Sequence, residues 1–303
     1  MAPPLSSLYT LSFGLAILCT LVVAATLRVL AILPNRRTNP PRWRKHPPAT
    51  RLLVVLGSGG HTHEMFYLLR DLDTRRYTHR TYVVSSGDAF SAQRAVAFER
   101  SLEERVLQSK KETGDEVDEK KNVAVVPSVL VVNGHAKPPK NTWTKPHVGP
   151  SHYDIALIPR ARRIHQSLLT TPFSALYTLY ACIPVLLSAR PIHVSHTTTP
   201  PHVRLTAAAA ASAATDLPDL IITNGPATAV IVVLGSLLLR FFNVQGANSR
   251  AKCKTVYAES FARVKGLSLS GRLLSRVVDR FLVQWEELEG SGGGRAEYWG
   301  ILV

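Results

Sequence analysis

The chain is poor in cysteine. Its 303 residues include only Cys19, Cys182 and Cys253, which lie far apart and form no Cys-x-x-Cys pair. A structural zinc site or a disulfide framework needs paired or clustered cysteines, so neither is indicated. This usage is typical of a reducing compartment. We therefore predict no metal site, and no motif indicates a cofactor.

Acidic residues are also scarce, with 21 Asp and Glu against 36 Lys and Arg and a formal net charge of +15. Such a basic chain is expected to have an anionic partner: nucleic acid, an acidic membrane surface or a phosphorylated substrate. A nucleic-acid-binding surface would interleave its basic residues with aromatic ones. Many of the basic residues lie instead in 34–50 and 108–151, so nucleic acid is disfavoured.

The N-terminal segment has no charged residue from position 5 to position 27. About 20 apolar residues cross a bilayer, whereas a cleaved signal peptide has a basic start and a shorter apolar region. Basic residues follow the apolar run and are expected to stay on the cytoplasmic side. We predict a retained single-pass anchor over 5–33, with a lumenal N-terminus. The Pro-rich basic stretch 34–50 is predicted to be an extended linker that binds anionic lipid headgroups.

Short apolar runs alternate with helical patterns in the remainder of the chain. The predicted strands are 51–56, 81–85, 154–158, 219–223, 254–258 and 280–284. The predicted helices are about 65–72, 89–107, 165–188, 227–242 and 268–278. This alternation predicts an α/β fold, a single Rossmann-like, doubly wound parallel sheet over 51–303. Mixed charge without periodicity predicts a partly disordered insertion over 108–151.

Two apolar helices could be mistaken for further membrane spans. The helix at 165–188 contains Pro172, Pro184 and several polar residues, so we expect it to lie against the domain or in the membrane interface. The helix at 227–242 has about 14 residues before Arg240, too few to span a bilayer, and is predicted to be a core helix.

A glycine-rich loop over 57–64 directly follows the first predicted strand and opens the first helix. Such a loop aims free N–H groups and the positive end of a helix at an anion, which predicts phosphate or diphosphate. A Walker loop requires Gly-Lys-Ser/Thr, and a dinucleotide site requires a third Gly where Thr62 stands. Both are disfavoured. His61, His63 and Glu64 lack metal-ligand spacing, and a tight turn without a ligand remains the alternative.

Polar residues also follow the other predicted strands, at the sheet edge where ligands bind in open α/β folds. Arg160 and Arg162 follow the third strand, and guanidinium groups are suited to phosphate. Each residue alone could belong to a turn or a surface ion pair. Their shared edge predicts a cleft with these members: Glu64, Ser86, Asn224, Gly225, Glu259 and Arg263.

These features, in this order, resemble the asparagine-linked glycosylation protein fourteen family. The resemblance rests on the anchor, Gly-Ser-Gly-Gly-His-Thr-x-Glu at 57–64, Ser-Ser-Gly-Asp at 85–88, Ile-Pro-Arg at 158–160, Ile-Thr-Asn-Gly-Pro at 222–226, Tyr-Ala-Glu-Ser-Phe-Ala-Arg at 257–263 and Val-Gln-Trp at 283–285. It implies the amino-terminal half of a GT-B glycosyltransferase. The insertion at 108–151 lies outside the resemblance.

The family resemblance implies an anchor subunit that binds a lipid acceptor and recruits a soluble catalytic subunit, which binds UDP-N-acetylglucosamine. The complex adds the second N-acetylglucosamine to N-acetylglucosaminyl-diphospho-dolichol at the cytosolic face of the endoplasmic reticulum membrane, and the nuclear envelope is a second expected location. His61 would be the base that deprotonates the acceptor hydroxyl. The acceptor diphosphate would be held by Gly57, Ser58, Gly59, Gly60, Thr62 and Arg160.

Chain length agrees with a divided enzyme. A complete transferase of this type needs two nucleotide-type folds, and 303 residues with an anchor and an insertion accommodate one. A self-sufficient membrane-associated glycosyltransferase acting on a lipid-diphosphate sugar is the alternative. The tail after Trp285 is expected to pack back on the domain, with docking on the partner as the second reading.

Overall fold

A computed structural model gives the structure of residues 5–34, 49–112, 146–162, 166–167, 169–188, 213–225 and 227–302. Most of the predicted linker and of the predicted insertion lies outside these described residues. The strands are β1 Arg51–Val55, β2 His79–Ser85, β3 Tyr153–Ile158, β4 Leu220–Asn224, β5 Lys254–Ala258, β6 Arg280–Val283 and β7 Ala296–Tyr298.

α-Helices and short 3-10 turns connect the strands, and the bounds of those that lie wholly in the described residues follow; residues 213–215 are also helical. The helices are α1 Leu5–Ile32, α2 Gly60–Leu68, α3 Ala89–Glu112, α4 Thr171–Leu187, α5 Thr228–Phe241, α6 Leu269–Leu274 and α7 Ser291–Gly294. The 3-10 turns are Pro150–His152, Val244–Gly246 and Glu286–Leu288.

All seven strands form one parallel sheet in the order β3-β2-β1-β4-β5-β6-β7. The predicted α/β fold with a doubly wound parallel sheet is confirmed. The central strand β1 is buried along its whole length. Leu52 and Val54 face one core and Leu53 and Val55 face the other, which explains the uninterrupted apolar run in the sequence.

Helices cover both faces of the sheet. Helices α2 and α3 pack on one face, where Met65 and Phe98 join its core. Helices α4 and α5 pack on the other face, where Leu186 and Ile231 join the second core. The chain therefore changes face between β1 and β4, and the helices that follow these two neighbouring strands diverge. In open α/β sheets this switch point is where ligands bind.

Two buried arginines fix the layers. Arg51 donates to the carbonyl oxygens of Val185 and Leu186, at 2.7 and 3.2 Å, and so holds the C-terminal end of α4 against β1. Burial lowers the pKa of Arg51 to about 10, which still leaves it charged at neutral pH. Arg80 on β2 makes a bidentate pair with Glu99 on α3, at 2.6 and 2.8 Å. Loss of either arginine's partners would be strongly destabilising, because it would leave a buried charge without a partner.

The N-terminal helix α1 is apolar and almost wholly exposed, and by length and composition Tyr9–Ile32 can cross a membrane. Its last turn is tied to α5 by two arginines. Arg28 donates to the carbonyl oxygens of Arg240 and Phe241, while Arg240 donates to the carbonyl oxygen of Ile32 at 2.7 Å. Each arginine thus caps the C-terminal carbonyls of the other helix. Helix α1 and the sheet domain are therefore joined by direct hydrogen bonds.

Several elements differ from the sequence-based expectations. Helix α2 spans Gly60–Leu68 rather than about 65–72, and α4 begins at Thr171 rather than at about 165. The strand β7 was not predicted, since three residues show no usable periodicity, and it pairs with β6. The tail therefore packs back onto the sheet, as expected. Helix α6 ends at Leu274, four residues earlier than predicted, and α3 continues to Glu112, beyond the predicted end at 107.

Candidate functional site

A cavity of about 790 Å³ opens at the switch point between β1 and β4. Its volume is typical of a small-molecule site. Its wall includes Gly60 and the polar or charged side chains of His61, Glu64, Arg162, Glu259 and Arg263. Apolar side chains on or next to helices α4, α5 and α6 also line it: Ala175, Ala227, Val230, Ile231, Leu269 and Leu273. We call this space the switch-point cavity.

The glycine loop holds His61 in a narrow slot. A Cβ at Gly57 would lie 2.7 Å from the His61 Cβ, and a Cβ at Gly225 would lie 3.2 Å from the His61 Cγ. Gly225 and Gly59 have φ values of +90° and +62°, a region that favours glycine. The amide of Asn224 donates to the His61 carbonyl oxygen at 2.7 Å. The histidine is therefore positioned from both central strands.

The Thr62 side chain stabilises the glycine loop through buried hydrogen bonds. It is completely buried, and its hydroxyl contacts the Gly57 carbonyl oxygen and lies 2.6 Å from the Ser91 hydroxyl. Ser91 in turn donates to Asp88, at 2.7 Å. This chain of hydrogen bonds connects the loop after β1 to the loop after β2. The Thr62 side chain shapes the loop and does not reach the cavity.

Glu64 and His61 lie one turn apart at the start of α2. The His61 Nδ1 and Glu64 Oε2 atoms are 3.6 Å apart, and the Ser260 hydroxyl donates to Glu64 Oε1 at 2.8 Å. Burial alone would raise the pKa of Glu64, but the interactions with His61 and Ser260 outweigh it and hold that pKa below its ordinary value. Glu64 is therefore ionised at neutral pH.

Glu259 forms the floor of the cavity near α6. Its carboxylate is buried and accepts hydrogen bonds from the backbone N–H and hydroxyl of Ser268, at 3.1 and 3.0 Å, and from the Ser260 N–H at 3.2 Å. Gly271 leaves the space that this carboxylate occupies. The acid thus stabilises the N-terminal end of α6, where negative charge is favourable.

The arginines after β3 are divided between two positions. Arg160 donates to the carbonyl oxygen of Ser86 at 3.0 Å and is not part of the cavity wall. Arg162, two residues later, does line the cavity, as does the exposed Arg263 from the loop after β5. Two cations therefore border the cavity.

The structure brings only part of the predicted set to the cavity wall. Those that line it are Gly60, His61, Glu64, Gly225, Glu259 and Arg263. Residues beside or behind the wall are Gly57, Ser58, Gly59, Thr62, Ser86, Arg160 and Asn224. The sequence places Arg162 and Ser260 in the loops after the third and fifth predicted strands, but only their neighbours Arg160 and Glu259 were predicted as site residues. In the described residues no group of three or more His, Cys, Asp or Glu could hold a metal ion.

A family model described as "Oligosaccharide biosynthesis protein Alg14 like" matches residues 52–113 and 133–302. The chain belongs to the Alg14 family. The match includes the glycine loop and every residue that lines the switch-point cavity. The family assignment therefore rests on the same part of the chain as the site.

Curated relatives of the Alg14 family align over most of the chain. UDP-N-acetylglucosamine transferase subunit alg14 of Aspergillus fumigatus is 37% identical, over 79% of this chain and 100% of that protein. The protein of the same name from Schizosaccharomyces pombe is 35% identical, over 93% and 98%. UDP-N-acetylglucosamine transferase subunit ALG14 of Homo sapiens is 28% identical, over 89% and 93%.

Proposed function

We propose that this chain is the membrane-anchored, acceptor-binding subunit of a two-subunit UDP-N-acetylglucosamine transferase. In the proposed reaction, a hydroxyl of N-acetylglucosaminyl-diphospho-dolichol attacks the anomeric carbon of UDP-N-acetylglucosamine and UDP leaves. The site lies at the cytosolic face of the endoplasmic reticulum membrane, and the N-terminus of the anchor is lumenal.

The observation that carries this proposal is the mixed lining of the switch-point cavity. The N-terminus of α2, Arg162 and Arg263 all line it, and such groups are suited to a diphosphate. Apolar side chains that include Val230 and Leu273 line the same space and are suited to the first units of a polyprenyl chain. A lipid-diphosphate sugar likewise combines anionic and apolar groups.

Charge supports the placement of the diphosphate. The N–H groups of Thr62 and His63 donate to the Gly59 carbonyl oxygen, whereas those of Gly60 and His61, at the very start of α2, have no backbone acceptor among the described residues. We assign the diphosphate to the backbone of the glycine loop, from Gly57 to Thr62, together with Arg162 and Arg263. Arg160 takes a supporting place, because its Nε already donates to the Ser86 carbonyl oxygen.

The outer surface of α4 supports a position on the membrane. Phe173, Leu176, Tyr177 and Tyr180 are each more than 60% exposed on this helix. Helix α4 packs beside α5, to which the anchor is tied. An exposed apolar face with two tyrosines is typical of a surface that lies in the interface of a bilayer. This layer also bounds the cavity, so a membrane-bound lipid can enter it.

The donor half of the enzyme is proposed to come from a second chain. The described residues form a single sheet, whereas a GT-B enzyme uses two such domains. The curated relatives are named as subunits, which agrees with a divided enzyme. The partner would be soluble and would bind UDP-N-acetylglucosamine.

The test is a transfer assay with separated components. The full chain in lipid nanodiscs, a soluble candidate partner, and the mixture of both receive labelled UDP-N-acetylglucosamine and N-acetylglucosaminyl-diphospho-polyprenol. We expect transfer only in the mixture. Transfer by the chain alone would instead support a self-sufficient transferase, and no transfer by a mixture that forms a stable complex would reject the proposed reaction.

A further inference from the structure

We propose that Glu64 is a positioning residue for His61, which it holds so that Nδ1 carries the proton and Nε2 faces the switch-point cavity as the base. This inference rests on the proposed function, in which His61 takes the proton of the acceptor hydroxyl. It assigns a role to a carboxylate that the sequence placed in the cleft without one.

The first observation is a pair of buried polar atoms that face each other. His61 Nδ1 and Glu64 Oε2 are both buried, and neither makes a hydrogen bond of normal geometry to another described residue. Their separation of 3.6 Å exceeds a hydrogen bond. A movement of about 0.7 Å would close it and satisfy both atoms, and catalytic hydrogen bonds are often long before substrate binds.

The second observation is that each partner is held from its other side. The Ser260 hydroxyl fixes the second oxygen of Glu64 at 2.8 Å, which ties the carboxylate to the loop after β5. The two glycine positions and the Asn224 amide fix His61. A closing movement is therefore confined to the short distance between Nδ1 and Oε2.

The third observation concerns the other ring nitrogen. Nε2 makes no hydrogen bond to a described residue, and the His61 side chain is 31% exposed and lines the cavity. An ionised carboxylate at Nδ1 selects the tautomer in which Nδ1 carries the proton. Nε2 then keeps its lone pair, which is what a base facing the acceptor hydroxyl requires.

The proton and electrons balance in this arrangement. As the acceptor oxygen bonds to the anomeric carbon, its proton moves to His61 Nε2. The bond from that carbon to the UDP oxygen breaks, and UDP leaves with the electron pair. The imidazolium that forms is stabilised by the Glu64 carboxylate, which itself takes no proton.

The pH dependence of transfer also reflects the other titratable and charged groups around His61. These are Glu64 on α2, Arg162 from the loop after β3, and Tyr257, Glu259 and Arg263 from β5 and the loop that follows it. Tyr257 has its pKa raised by burial, so it stays neutral. Removal of the Glu64 charge disfavours the imidazolium form of His61.

The kinetic test uses the chain in complex with its soluble partner and compares Glu64→Gln with Glu64→Asp and with the control Glu104→Gln, an exposed acid on α3. We expect Glu64→Gln to lower kcat by roughly 100-fold with the acceptor KM within about twofold, because the glutamine favours the wrong tautomer. The acidic limb of the kcat/KM profile should move to lower pH, by about one unit. Glu64→Asp should keep the limb in place and recover part of kcat, and Glu104→Gln should match the wild type.

A spectroscopic test is independent of activity. In the full chain labelled with ¹⁵N-histidine, the His61 signals are identified by their loss in His61→Asn. We expect the wild type to show a protonated Nδ1 and an unprotonated Nε2, and Glu64→Gln to lose this preference. If the wild-type complex were inactive while this result held, the proposed function would fail and the positioning role would stand. An unchanged tautomer and pH limb in Glu64→Gln, or loss of activity matched by equal loss of acceptor binding, would overturn it.

Discussion

The slot around His61 gives the sharpest prediction, for the substitution Gly57→Ala. The added Cβ would lie 2.7 Å from the His61 Cβ and 3.6 Å from the Asn224 carbonyl oxygen. Carbon atoms in contact are normally about 3.5–4.0 Å apart, so His61 must move by about 1 Å. Rotation of the imidazole ring gives no relief, because the nearest atom is the Cβ itself.

The displacement should affect stability and catalysis to different degrees. Overpacking of this kind costs about 1–3 kcal/mol, which corresponds to a fall in Tm of about 3–10 °C for a domain of this size. A misplacement of about 1 Å in a catalytic group costs roughly 100-fold in rate. We therefore expect a folded protein whose kcat, with the soluble partner present, falls by about two orders of magnitude.

The matched control is Gly266→Ala. No atom lies within 4 Å of the position that its Cβ would take, and its φ lies outside the left-handed region. We expect activity within about twofold of the wild type and a change of less than about 1 kcal/mol in stability. Transfer rate and thermal unfolding of both variants are the measurements. If Gly57→Ala kept the wild-type rate and Tm, the argument that this slot positions His61 would be wrong.

Three further predictions concern the arginines and the membrane face. Arg162→Ala should raise the acceptor KM about tenfold, because one charged hydrogen bond is lost. Arg160→Ala should change it less than about threefold. Equal effects of the two substitutions in steady-state kinetics would contradict the assignment of the diphosphate to Arg162. Arg240→Ala removes a buried bond to the anchor helix and a 3.2 Å ion pair, and should lower Tm by roughly 6–12 °C in a thermal-shift assay. A fluorophore on Phe173→Cys should be quenched by brominated lipid, while one on Leu157→Cys, exposed on the edge strand β3, should not; no difference would refute the membrane contact of α4.

The fold could be predicted from the sequence wherever a single element carried a strong local pattern. The apolar run that became β1 and the glycine loop that follows it are both local signals, and their parallel neighbours give similar runs. The strand β7 has only three residues and owes its place to pairing with β6. A contact of this kind leaves no periodicity in the sequence.

The sequence predicts which edge of the sheet carries the site, but it does not predict which residues of each loop line the cavity. The sequence order places Glu64, Glu259 and Arg263 at the carboxyl ends of parallel strands, and the structure brings all three to the cavity. Which of two arginines after β3 faces the cavity depends on the turn that follows the strand. The bond between Glu64 and Ser260 joins residues 196 positions apart, and the sequence shows no trace of it.

The N-terminal helix gives another example of contacts that the sequence does not reveal. The apolar run and the basic residues after it predict a spanning helix on local grounds. The reciprocal capping by Arg28 and Arg240 depends on where α5 ends, more than 200 residues later. Arg28 belongs to the basic cluster that indicates orientation, but its bonds to α5 could be found only in the folded chain.

Equilibrium binding to the chain alone tests most sharply whether this subunit carries the binding site for the lipid acceptor. The full chain in nanodiscs, without a partner, is titrated with N-acetylglucosaminyl-diphospho-polyprenol and separately with UDP-N-acetylglucosamine, and Arg162→Ala serves as the site-specific comparison. We predict that the lipid binds saturably and that Arg162→Ala weakens this binding about tenfold. We predict no saturable binding of the nucleotide sugar. Saturable binding of UDP-N-acetylglucosamine without binding of the lipid would contradict it.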